Sequence, residues 1–360
     1  MPRITRRIRF AVRWPRCLPL VLAIGACSDG GAPLAAPEVP FTPPADTTTP
    51  PVDTTTPPID TTTLPPPDTS STPPPDTTVA PPPAGPPVHV GIPFGASLYS
   101  QHESSTLLVP PSGVSPSFNA LKIDAYKKKL LEALEAARRS NGRILVSFSG
   151  SSAEYTDSDG FNLELWKRKV DEFRDLDLSG YVADGTLMGH YIMDEPQDTR
   201  NWNGHQVARA EIDEMARYSK EIWPGLPTII RGWAWYLKGY NYKYLDAAWA
   251  AYHVRFGSID QFIEENVGDA KAAGLALVVG LNVVAGGGDE GLPGYHTSKN
   301  AMTASQLRTW GNALLDEPYG CAFFMFRFNP DYFARSDIQE AVADLSAKAR
   351  RRENRSCLRP

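Results

Sequence analysis

The chain has 360 residues, 34 of them proline, and a formal net charge of −5. An acidic balance argues against nonspecific nucleic-acid binding, which rests on neutralising phosphates, and mildly favours a neutral ligand. The composition makes sense only in three parts: a leader at residues 1–27, a tether at 28–87, and residues 88–360, which hold all but one of the eight tryptophans and are long enough for one large core.

The leader carries Arg3, Arg6, Arg7, Arg9, Arg13 and Arg16 and no acid, followed by a short apolar run from Leu18 to Ala26. That run is far below the ~20 residues needed to span a bilayer, so it reads as an export signal. Its removal takes the net charge from −5 to about −11. Ile24-Gly25-Ala26-Cys27 resembles a bacterial lipobox. The resemblance implies that Cys27 is diacylated, becomes the new N-terminus and holds the protein to a membrane through its lipid. The alternative is an ordinary signal peptide with an incidental cysteine. Ser28 does not suggest inner-membrane retention, which points to the outer membrane or cell surface. The Arg6-Arg7 pair is similar to a twin-arginine signal, but Phe10 sits one place late.

In the tether, Asp46-Thr-Thr-Thr-Pro-Pro recurs at Asp53 and more loosely at Asp60, Asp68 and Asp76. No repeat unit has an apolar face to bury, so this is a low-complexity disordered linker and not a solenoid. Proline favours polyproline II and the aspartates repel one another. At ~3.1 Å per residue the segment reaches at most roughly 190 Å, a stalk that makes a monomer the expected state.

From residue 88 onward, apolar β-rich runs alternate with amphipathic helical stretches. Val88–Phe94 is an expected strand. Ala125–Ser140 is a helix by the spacing of Tyr126, Leu130, Leu131, Leu134 and Ala137, stopped by Asn141-Gly142. Strands are then expected at Ile144–Phe148, Leu187–Met193, Thr228–Trp235, Ala248–Phe256, Leu275–Val284 and Cys321–Phe328. Helices are expected at Leu163–Leu176, Val207–Trp223, Ile259–Ala273, Thr303–Leu315 and Ser336–Arg350. Strands apolar nearly throughout, joined by helices, imply a parallel sheet covered on both faces. Seven strands are counted; an eighth, placed between Gly150 and Gly185, would close an α/β (β/α)8 TIM-like barrel. A doubly wound open sheet is the runner-up, but no G-x-G-x-x-G follows the first strand and no Walker motif occurs.

In the barrel, Cys321 opens the last strand at the bottom and Cys357 follows the last helix back to the same end. A disulfide between them is expected, with two free thiols as the alternative. The cysteines and six scattered histidines show no metal-ligand spacing, and no cofactor motif is present.

Active residues of such barrels lie at the C-terminal ends of strands. There Leu187–Met193 runs into Asp194-Glu195-Pro196, two carboxylates that would be costly if buried and idle. This arrangement resembles barrel glycoside hydrolases, several families of which place an acid/base glutamate before a proline at a central strand end. The resemblance implies that Glu195 is the general acid/base, with Asp194 beside it. Asp316-Glu317-Pro318 repeats the letters but follows a helix, so it reads as a surface turn at the bottom. Trp233, Trp235 and Tyr236 form a cluster suited to stacking on sugar rings, or alternatively to filling core gaps. Tyr252, His253 and Arg255, then Asn282, then Arg327, Asn329 and Asp331 follow other strands. Of these, Tyr252, Asn282, Arg327 and Asp331 are the candidate carbohydrate contacts. His190 is expected to be a core residue, and Asp246 to lie at the bottom. The resembled retaining hydrolases carry a nucleophilic glutamate at the end of the seventh strand, where this chain has Asn282. Asp194, Asp289, Glu290 and Asp331 are therefore the candidates for a second acid. Two readings stay open: a surface-tethered glycoside hydrolase, and a carbohydrate-binding barrel without catalysis.

Overall fold

The computed structural model describes residues 86–98 and 111–360; the leader, Cys27 and the tether up to residue 85 lie outside the described residues. Eight parallel strands close into a barrel. They are β1 (Phe94–Ser97), β2 (Ala120–Asp124), β3 (Arg143–Ser147), β4 (Leu187–Asp194), β5 (Thr228–Arg231), β6 (Ala247–Tyr252), β7 (Ala276–Asn282) and β8 (Gly320–Phe326). Each pairs with its neighbours in chain order, and β1 pairs with both β2 and β8, which removes every sheet edge. The chain is thus a (β/α)8 barrel. Six helices of more than two turns follow: α1 (Lys127–Arg139), α2 (Leu163–Asp171), α3 (Arg209–Ile222), α4 (Ile259–Ala272), α5 (Ala304–Asp316) and α6 (Ser336–Arg351). The β1–β2 and β5–β6 crossings contain only the single turns Pro111–Val114 and Ala234–Leu237 among the described residues.

Three of the six helices start where the sequence supplies a side-chain cap. Asn162 accepts from the Leu165 amide, Ser258 from that of Gln261, and Thr303 forms a reciprocal capping box with Gln306. On α1 the residues Leu130, Ala133, Leu134 and Ala137 are buried, whereas Leu131, counted with that face from the spacing, is exposed.

Two expectations are corrected. The eighth strand is Ala120–Asp124, not a strand between Gly150 and Gly185. The latter region holds α2, the turn Ser179–Ala183 and a two-residue antiparallel hairpin, Thr156–Asp157 with Gly160–Phe161. The sequence Ala-Leu-Lys-Ile-Asp escapes a search for apolar runs because Lys122 and Asp124 interrupt it. The first strand also begins later, at Phe94, and Val88 and Val90 are exposed.

Strand periodicity divides the core. Leu145, Ile229, Ala247, Trp249, Ala276, Val278 and Phe324 form the interior cluster. Ile144, Val146, Ile230, Ala248, Leu277 and Phe323 pack outward in the strand–helix layer. Two glycines let backbones approach: a Cβ on Gly95 would lie 1.7 Å from the Ala120 carbonyl oxygen, and one on Gly280 would lie 1.9 Å from that of Phe324. Gly280→Ala is therefore expected to destabilise the fold by about 3 kcal/mol. Gly268→Ala on α4, with open space at the Cβ position, should be neutral or slightly stabilising. Urea midpoints of the two variants check this; equal midpoints would refute it.

Candidate active site

The C-terminal mouth of the barrel is polar, and the charges come from inward positions of the strands. On β2, the alternation that turns Ala120 inward also turns Lys122 and Asp124 inward. Lys122 is only 1% exposed, pairs with Asp124 at 2.5 Å, and sits 4.7 Å from the ring centre of Tyr191. On β5, the parity of Ile229 brings Arg231 inward. Its Nε lies 2.9 Å from Asp194 Oδ1, and its terminal nitrogen lies 3.1 Å from Glu195 Oε1. One guanidinium thus bridges both carboxyls of the Asp-Glu-Pro motif.

Glu195 has φ of +42°, a left-handed conformation that costs a non-glycine residue of order 1–3 kcal/mol. Its surroundings hold it there. Its amide donates to the Arg231 carbonyl at 2.7 Å, and its own carbonyl accepts from the Asp198 amide and the Trp202 indole, both at 3.0 Å. The chain turns sharply at the strand end, and the Glu195 side chain lines a cleft of about 400 Å³.

Trp249 on β6 and Asn282 on β7 line the same cleft together with Arg231. Trp233 and Trp235 flank it, 37% and 46% exposed, with ring centres 6.3 Å apart; Phe256 meets Trp233 edge-on at 4.7 Å. Glu265, Asn266 and Asp269 of α4 also contribute to the lining. Exposed tryptophan faces beside carboxylates suit a ligand with apolar faces and hydroxyl edges.

Burial pushes the Asp194 carboxyl above the ordinary carboxylate range. The Arg231 charge acts against this, the neighbouring Glu195 charge adds to it, and Lys122 and the nearby Tyr191 hydroxyl also pull down without cancelling the rise. Burial, with Arg255 nearby, lowers His253 to about 4; its Nδ1 accepts from the Arg255 amide at 3.1 Å, so the neutral ring carries its proton on Nε2.

His190 is completely buried among Phe148, Trp166 and Trp223 and is lowered to about 3 by burial. Both histidines titrate near 6.5 when unfolded. As pH falls below that value, the unfolded chain binds protons that the folded chain refuses. Stability should fall by about 1.4 kcal/mol per pH unit for each histidine, down to about pH 4 for His253 and about pH 3 for His190. Asp194 acts with the opposite sign: its raised value favours the folded state at low pH, and this contribution fades as pH rises through that value. By pH 5 each histidine should have removed about 2 kcal/mol relative to pH 7. Urea melts at the two pH values check this, and a His253→Asn variant that keeps the full wild-type slope would contradict it.

Of the residues singled out from sequence, Glu195, Trp233, Trp235 and Asn282 come together at the cleft, and Asp194 stands behind Glu195 on the shared arginine. Asn282 ends β7. Tyr252 is not there. Opposite in parity to Ala247 and Trp249, it points into the helix layer, 2% exposed, with its rings against Phe262 and Trp310 and its hydroxyl donating to the Gly257 carbonyl. Arg327 and Asp331 are exposed beyond β8 and do not line the cleft; neither do the exposed Asp289 and Glu290. Asp246 lies at the bottom, paired with Lys220 at 2.6 Å, and Asp316 lies there with Lys348 at 2.7 Å. Sequence reasoning missed Lys122, Asp124, Arg231 and Trp249. For the three charged residues the available signal was a charge at an inward position of a strand otherwise wholly buried.

No family model matches the chain, and no curated protein shows significant sequence similarity to it. Among solved structures it is similar to a GH2 β-galacturonidase from Eisenbergiella tayi bound to galacturonate, at 11% identity and TM-score 0.49 over 74% of this chain and 52% of that one. The chain thus spans about half the length of that protein. It is also similar to an intracellular xylanase from Thermoanaerobacterium saccharolyticum, at 11% identity and TM-score 0.47 over 70% of this chain and 95% of that one. A third is xylanase 10B from Thermotoga maritima, at 13% identity and TM-score 0.43 over 72% and 96%. The closed parallel (β/α)8 barrel itself is read from this chain's own strand pairing.

Proposed function

We propose that the chain is a surface-tethered glycoside hydrolase acting on a polysaccharide or glycan, with Glu195 as general acid/base. One observation carries the reading: a carboxylate held in a strained turn at the end of β4 faces a cleft walled by exposed tryptophans. Glu195 would protonate the glycosidic oxygen as the bond to the anomeric carbon breaks, while a second carboxyl activates water or attacks that carbon. Asp194 behind it, and Glu265 and Asp269 of α4 in the cleft lining, are the candidates for that partner.

A second reading, a carbohydrate-binding barrel without catalysis, is favoured by the amide of Asn282 at the end of β7. A glycan screen that follows both binding and product release separates the two: released product supports the hydrolase, and binding with no product supports the second reading. Under either reading, Trp235→Ala should weaken sugar binding by roughly 1–2 kcal/mol, about tenfold, as measured by titration calorimetry; an unchanged affinity would place the ligand elsewhere.

The anchoring belongs to the same proposal. Cys27 would be acylated after removal of the leader, with the tether holding the barrel off the outer membrane or cell surface. Globomycin should make unprocessed precursor accumulate in cells expressing the full chain, and no accumulation would sink lipidation.

A further inference from the structure

The acid pair does not stand alone in the barrel mouth. Asp194 and Glu195 share Arg231 on one side. On the other, Tyr191, three residues before Asp194 on the same strand, brings its hydroxyl near the Asp194 carboxyl and favours its charged form. The ring of Tyr191 is in turn the seat of the Lys122 ammonium, 4.7 Å from its centre, and Asp124 clamps that ammonium at 2.5 Å. A continuous chain of contacts therefore runs Asp124, Lys122, Tyr191, Asp194, Arg231, Glu195 across β2, β4 and β5. A lysine 1% exposed inside a barrel is expensive to keep, and an apolar residue at this inward position would fill the interior without that cost.

We propose that Lys122 is a positioning residue of the acid pair: clamped by Asp124 and seated on Tyr191, it holds the tyrosine hydroxyl against Asp194 and controls whether Asp194 keeps its proton. The proposal rests on the reading of Glu195 and Asp194 as the acid pair of the cleft. Its physical basis is a charge balance. The groups facing this part of the interior are Lys122 and Asp124 on β2, Tyr191 and Asp194 on β4 with Glu195 following it, and Arg231 on β5. Tyr155, after β3, adds a neutral phenol near Asp124 and Asp194. Three carboxyls thus meet two fixed cations, an excess of one negative charge that a single proton removes. Asp194, lifted by burial, is the carboxyl of the three most disposed to take that proton. Lys122 keeps its hold on the proton moderate, so that Asp194 can exchange it with Glu195 or with water in the cleft.

The test uses the full chain labelled with ¹³C at the aspartate carboxyl carbons, with the Asp194 signal assigned by its loss in Asp194→Asn. In wild type its midpoint should lie above the ordinary carboxylate range. In Lys122→Met it should rise further, by about 1 pH unit or more, the effect of removing an opposite charge, and Lys122→Arg should restore it. Tyr191→Phe, which keeps the ring and deletes the hydroxyl, should move it in the same direction by less. Lys220→Met, which breaks an ion pair at the bottom of the barrel, should leave it unchanged. An Asp194 midpoint unmoved in Lys122→Met, or moved equally in Lys220→Met, overturns the proposal. If Lys122→Met fails to fold, an unmoved midpoint in Tyr191→Phe overturns it instead. The titration needs no turnover: a shift seen in a protein that cleaves no glycoside would remove the hydrolase reading and leave the role of Lys122 standing.

Discussion

Glu195→Gln is expected to lower turnover of a cleaved glycan by about 10²–10⁴-fold while leaving its binding nearly unchanged. The substitution replaces one carboxyl oxygen by an amide nitrogen of similar size, so the contacts along the tryptophan wall persist. What disappears is the transferable proton. The loss should fall on kcat and hardly on KM. The contact at 3.1 Å from Arg231 to Glu195 Oε1 can be kept by the amide oxygen, and the 2.9 Å pair between Arg231 and Asp194 is untouched. The strained backbone at φ +42° is held by main-chain hydrogen bonds and the Trp202 indole, none of which involves the carboxyl. A loss of stability comparable to the loss of rate would therefore contradict the catalytic assignment.

The second large effect is on stability. Cys321 at the start of β8 and Cys357 in the tail are joined, with Cα atoms 5.4 Å apart and a sequence separation of 36. Both are buried, at the bottom end of the interior cluster. The tail is pinned further by the Arg355 side chain on the Pro318 carbonyl at 2.7 Å and the Arg359 amide on Asp246 at 3.3 Å. A closed loop of that length removes unfolded-state entropy worth about 4 kcal/mol. The double variant Cys321→Ala/Cys357→Ala should accordingly unfold about 10 °C lower than wild type, and reductant should lower wild type toward the variant. A midpoint insensitive to both changes would mean that the strand pairing and the tail's hydrogen bonds suffice without the bond. The cleft lies at the other end of the barrel, so the double variant should keep wild-type sugar affinity at temperatures where it is folded.

The fold was legible where burial dominates the sequence. Strands such as Arg143–Ser147 and Ala276–Asn282 are apolar through their buried middle because both of their faces are covered. The helices announce themselves through capping residues and one apolar face. The strand Ala120–Asp124 was hidden because its interior face carries the site: a lysine and an aspartate broke the apolar run that marks its neighbours. Arg231, ending a strand read as continuing through Trp235, was passed over for the same reason. The cleft was therefore legible in its loop residues, Glu195, Trp233 and Trp235, and obscure in the strand residues beneath them. Tyr252 went wrong for a simpler cause. Its place at a strand end was right, but counting two residues at a time from Trp249 puts its side chain on the outer face. Asn282 passes the same count, being even with Ala276 and Val278, and does reach the cleft.

The most direct test of the central claim is a crystal structure of Glu195→Gln soaked with an oligosaccharide that the wild-type protein binds. The account predicts a sugar ring stacked on Trp233 or Trp235 and a glycosidic oxygen about 3 Å from the residue-195 amide. A ligand bound away from the cleft, or one lying along the tryptophans with every glycosidic oxygen out of reach of position 195, would contradict it.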